Sequence, residues 1–89
     1  MKAEPVLDYY SLDQDDPVRF RVHFWERPGP GYAWNLDAWL LSDVASVREA
    51  IEWVAENRHG RTYELFVETS GDLSEAYLVR LDGENPNNP

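Results

Sequence analysis

The chain contains no cysteine. That excludes disulfide staples, thiolate metal sites and a cysteine nucleophile. An extracellular domain this small often relies on such staples, so their absence favours a reducing interior. No apolar run approaches the ~18 residues of a membrane span, and the start of the sequence, from Met1 to Pro5, lacks the apolar stretch of a secretory signal. The expectation is a soluble, cytoplasmic protein with no membrane contact. Basic residues are also few, 8 against 17 acidic ones, for a formal net charge of −9. Long-range repulsion then disfavours nucleic acid and anionic membranes as partners.

Motifs that carry chemistry are missing as well. His23 and His59 are the only histidines, one alternating with arginines and one near a helix end, and no His/Asp/Glu spacing fits a metal site. The acidic run from Asp13 to Asp16 lacks the central glycine and terminal glutamate of a calcium loop. Pro28, Gly29, Pro30 and Gly31 have neither the lysine nor the following helix of a phosphate loop. Glu49, Glu52 and Glu56 cluster, but on an open helix face with nothing to perturb them. The expectation is a non-enzymatic protein with no cofactor and no metal.

What is present is a legible fold. Eighty-nine residues make one domain, and a domain of this size buries only about 60% of its unfolded surface. Residues 1–17 form an acidic N-terminal segment, partly ordered. Val6, Leu7, Tyr9, Tyr10 and Leu12 fit it to add an edge strand or to lie across the body, and Pro17 ends it. Residues 18–27 alternate: Val18, Phe20, Val22 and Phe24 point one way, and Arg19, Arg21, His23, Trp25 and Arg27 the other. Period-2 alternation of β-formers is a half-buried strand. The Pro/Gly run at 28–31 is a turn. Residues 32–41 read as the second strand of a hairpin, with Tyr32, Trp34, Leu36, Ala38 and Leu40 on one face and Asn35, Asp37 and Trp39 on the other.

Residues 46–60 read as an amphipathic helix. Ser46 with Glu49 is a capping box, and Asp43 is a rival start. Val47, Ala50, Ile51, Val54 and Ala55 share one face. Arg58 and His59 suit the negative end of the helix dipole, and Gly60 suits a left-handed cap. Trp53 lies off the apolar stripe, read first as a flank residue packing on a strand end and otherwise as a candidate secondary contact. A third strand, 62–69, sets Tyr63, Leu65 and Val67 against Glu64, Phe66 and Glu68. Ser70, Gly71 and Asp72 are turn chemistry. A fourth strand covers 75–82, and 83–89 is a polar tail. The single domain at 18–82 is thus α+β, a two-layer ββαββ sandwich: a four-stranded, mainly antiparallel sheet with one helix on one face. In chain order, strand arrangements 2-1-3-4 and 1-2-4-3 both satisfy a wholly antiparallel sheet.

One helix leaves the second sheet face uncovered. That face carries Arg19, Arg21, His23, Trp25 and Arg27, joined by Trp39, Phe66, Glu64 and Glu68. These residues form the candidate interaction face, since aromatic and arginine enrichment with a polar rim is interface composition. The bland alternatives are mutual shielding of Trp25 and Trp39 and cross-strand Arg–Glu pairs. The leading expectation is a protein-interaction module that self-associates as a homodimer or binds another protein. The alternative is an acidic inhibitor or antitoxin-like protein that mimics nucleic acid or blocks a basic site. A third is a small-ligand binder or enzyme built around His23, Trp25 and Arg21.

Overall fold

A computed structural model describes residues 1–5, 19–72 and 75–87. Among them, five strands and one helix follow in the order β1 (Lys2–Pro5), β2 (Arg19–Glu26), β3 (Asn35–Ser42), α1 (Val47–Asn57), β4 (Thr62–Asp72) and β5 (Glu75–Gly83). The fold is α+β, with one antiparallel sheet ordered β1-β3-β2-β4-β5. The four strands expected from the sequence take the 2-1-3-4 arrangement. The fifth strand is a correction to the four-stranded reading. Lys2–Pro5 pairs with β3, placing Ala3 opposite Leu41 and Pro5 opposite Trp39. The expectations resting on Val6 to Pro17, the two tyrosines and the acidic run included, and on Val18, lie outside the described residues.

The central pairing brings basic side chains of β2 against acids of β4: the register sets Arg19 opposite Glu68 and the imidazole of His23 opposite Glu64. On the other face the same register opposes Phe20 to Val67, Val22 to Leu65 and Phe24 to Tyr63. This apolar face is the core. Phe20, Val22, Phe24, Leu41, Leu65, Ala50 and Val54 form one buried cluster.

β3 corrects a second expectation. Its core face is the odd one. Trp39 lies opposite Val22 and Leu41 opposite Phe20, so Trp39 packs beneath the helix and not on the charged face. The adjacent leucines Leu40 and Leu41 leave the phase of this strand ambiguous, and the register of the β2–β3 hairpin decides it. Tyr32 and Trp34 precede the strand.

The helix begins as its sequence dictates. Ser46 Oγ accepts the Glu49 amide at 3.3 Å, and Glu49 Oε2 accepts the Ala45 amide at 3.1 Å. It ends at Asn57, three residues earlier than expected. Arg58 caps it through its amide to Val54 O, and His59 then takes φ +50° before Gly60 at +77°. Arg61 ties this end to the sheet. Its Nε donates to Arg58 O at 2.9 Å, Nη2 to Asn57 O at 2.8 Å and Nη1 to Asp37 Oδ2 at 3.0 Å, while its guanidinium lies 4.2 Å from the centre of the Phe24 ring. β4 runs through the expected turn. Ser70 pairs with Ala76 and Asp72 with Glu75, with a register shift that leaves Gly71 as the extra residue of a bulge.

Candidate functional site: a charged sheet face and an open strand edge

Arg19, Arg21, His23, Trp25 and Phe66 do share the sheet face away from the helix, with Glu64 and Glu68 between them. The face is not an exposed patch. Arg19 is 8% exposed, Glu64 4% and Glu68 8%. A buried carboxylate is costly unless its oxygens are satisfied, and Glu64 meets that condition. It accepts Trp25 Nε1 at 2.8 Å and Arg80 Nη1 at 3.3 Å, and its Oε1 lies 3.8 Å from His23 Nδ1. Glu68 is held by an ion pair with Arg21 Nη2 at 3.5 Å. His23 packs on Phe66, ring centres 4.8 Å apart, and stands edge-on to Trp25 at 6.3 Å. Burial pushes its pKa below the ordinary value, and Arg21 pushes the same way, outweighing the opposing pull of Glu64. Around Glu64 the group is internally paired, with Trp25 and Arg80 on its oxygens and Phe66 and Trp25 enclosing His23, whereas among the described residues the buried oxygens of Glu68 accept no hydrogen bond.

The remaining sequence-nominated residues lie elsewhere. Arg27 is exposed past the end of β2, with its guanidinium 4.6 Å from the centre of the Trp34 ring. Trp39 and Trp53 meet on the helix face, 5.7 Å apart, and Trp53 also packs on Phe24 at 5.8 Å. Trp53 therefore anchors the helix flank to β3 and β2.

That anchoring displaces the helix from the opposite half of the sheet. On its other flank Val47 and Ile51 are 45% and 46% exposed, and on β5 Val79 and Leu81 are 48% and 45% exposed. Between the helix flank and β4–β5 runs a cleft of about 80 Å³ lined by Ile51, Val54, Ala55, Tyr63 and Leu65, with Arg58 and Asp82 at one end. It continues into an open depression of about 300 Å³ bordered by Asp82, Gly83 and Glu84. Arg58 lies over the Tyr63 ring at 4.9 Å. Tyr63 donates its hydroxyl to Asp82 Oδ2 at 2.6 Å, and that bond holds the phenol above its usual pKa.

β5 borders this groove and is an edge strand. Among the described residues no strand pairs with its outer side. Sequence periodicity missed the site because it assigned Val47, Ile51 and Ala55 to the core stripe. The signal was there: with Trp53 on one side and Ala55 on the other, apolar residues span more of the helix than one sheet contact can cover.

Among the described residues no group of three or more His, Asp or Glu is arranged to hold a metal ion, and no helix is long and apolar enough to cross a membrane. Compared with protein-family models, with curated proteins and with solved structures, the chain matches none.

Proposed function

We propose that the chain is a protein-interaction module that takes a partner along β5, by strand addition at the open edge and side-chain contact in the adjoining groove. One observation carries this reading. The two sheet edges are treated differently. β1 carries Lys2 and Pro5, whereas β5, nine residues long, contains neither proline nor lysine and exposes Val79 and Leu81. Natural sheets blunt edges that must not pair, by shortness, proline or lysine, and an edge left open is the template for an added strand. The charged face anticipated as a self-association surface supports the reading less well. Its charges pair with one another inside the chain.

A random-peptide display library, selected on the wild-type protein and counter-selected on Val79→Lys, tests the proposal. Binders that vanish with the lysine and that slow amide exchange along β5 are the expected result. Binders indifferent to the substitution, or mapping to the outer face of α1 or the loop at 28–34, would overturn it.

A further inference from the structure

We infer that the segment taken up by β5 is cationic: an extended stretch of a partner protein in which apolar residues alternate with lysine or arginine. This rests on the interaction reading above and adds the chemistry of the occupant.

The charge around the edge is uneven. The acids of β4 that face β2 are compensated, Glu64 by Arg80 and Glu68 by Arg21. Asp82 on β5 and Glu84 just past it are not: among the described residues no ion pair engages either, and Asp82 accepts only from the Tyr63 hydroxyl and the Gly83 amide. Arg80, the only basic residue after Arg61, pairs with Glu64. The depression at the end of the groove is bordered by Asp82 and Glu84, and the one cation beside it, Arg58, lies against the Tyr63 ring. A strand added beyond β5 would alternate its side chains between the two faces. Those on the helix face would reach the cleft of Ile51, Ala55 and Leu65 and, toward its end, Asp82 and Glu84. The pairing surface is regular where it needs to be. Register shifts fall at Leu81 and opposite Gly71 on β4, leaving residues 75–80 of β5 unbroken. An overall charge of −9 adds long-range attraction for a basic segment.

The experiment titrates the full chain with three heptapeptides of equal β-propensity pattern, valine alternating with lysine, threonine or glutamate, followed by amide shifts and hydrogen exchange. The lysine peptide is expected to shift and protect the amides of 75–83. Its affinity should fall with added salt, and fall about three- to tenfold in Asp82→Asn/Glu84→Gln, as for the loss of two exposed ion pairs. Both sites are exposed, and the asparagine keeps an acceptor for Tyr63, so the fold is retained. Equal binding of all three peptides at β5 would overturn the charge preference while leaving the interaction reading intact. No binding at β5 by any peptide would overturn both. Concentration-dependent protection of β5 without peptide, with a dimer in sedimentation equilibrium, would assign the edge to a second copy and overturn the cationic occupant.

Discussion

Replacing Gly83 by alanine isolates what the end of β5 demands of the chain, and Gly60 supplies the control. Both glycines hold positive φ, +92° and +77°, which costs an L-residue roughly 1–2 kcal/mol at either position. Their surroundings differ. A Cβ at Gly60 would meet nothing within 4 Å, whereas one at Gly83 would overlap the Tyr63 carbonyl oxygen and lie 2.8 Å from Tyr63 C and 2.9 Å from Glu64 Cα. These are backbone atoms of β4, and a side-chain rotation cannot relieve the overlap. The strands must separate where Gly83 opposes Glu64 and where the Glu84 amide donates to Tyr63 O at 2.9 Å. Losing that bond and straining its neighbours costs about 1–3 kcal/mol beyond the backbone term. Gly60→Ala should therefore lose about 1 kcal/mol and Gly83→Ala about 3–4 kcal/mol. The entropy that alanine removes from the unfolded chain is common to both and drops out of the difference. Urea unfolding followed by tryptophan fluorescence resolves a gap of this size. Equal losses would refute the close approach of Gly83 to β4.

Arg61→Ala should lose about 2–3 kcal/mol, because it removes charge-assisted bonds to two helix-end carbonyls and Asp37 together with the contact on Phe24; Arg61→Lys should recover only part in thermal unfolding, and full rescue would show that charge alone matters. His23 is held below its ordinary value of 6.5 in the fold, so the unfolded chain takes up its proton first; its contribution is whole above 6.5 and is lost as pH falls from there to the depressed folded value. His23→Gln should flatten that part of the pH dependence of the urea midpoint, and an unchanged slope would contradict a buried neutral imidazole. Ser46→Ala should cost about 1 kcal/mol through the lost cap on the Glu49 amide, with no change at β5 by amide shifts. Val54→Ala should cost about 1–3 kcal/mol and Ile51→Ala well under 1, although both belong to one apolar stripe, because only Val54 is buried; equal costs would place the helix centrally over the sheet.

Much of this fold is written locally. The alternation of β2, the Ser46–Glu49 box and the left-handed step near Gly60 each involve neighbours within a few residues, so composition and spacing reveal them. Cross-strand Arg–Glu pairing was one alternative open in the alternation of β2 and β4, and the strand order that brings these strands together was not legible. What failed were quantities set by distant parts of the chain. The phase of β3 depends on register with β2, and with Leu40 and Leu41 side by side either face could be apolar; register chose Leu41 and took Trp39 with it. The four described residues of β1 are too few to show a period. The lateral position of the helix follows from Trp53 meeting Trp39 and Phe24, contacts between residues that no local pattern links. The open groove is a consequence of that position, and so was invisible in the same way. Burial of the charged face is likewise non-local: alternation tells which residues share a face, and nothing in it tells whether that face is wet.

The placement of the helix also explains why the open half lies at β5 and not at β1. Strands spaced about 4.8 Å apart make a five-stranded sheet roughly twice as wide as one helix, about 10 Å across with side chains. One helix must choose a side. Trp53 and the Arg61 tether to Asp37 draw it toward β3, where Trp53 meets the Trp39 ring at 5.7 Å. Ala3 on β1 then packs against the core from the near edge, and that edge carries Lys2 and Pro5. The far edge receives no such treatment. Val79 and Leu81 stay exposed there, and bulges trim only the ends of the ladder. Sheets that must stay unpaired carry a cation or a proline on such a strand. β5 carries one cation, Arg80, and it is turned to Glu64 on the opposite face, so Val79 and Leu81 stay exposed and Asp82 borders the groove.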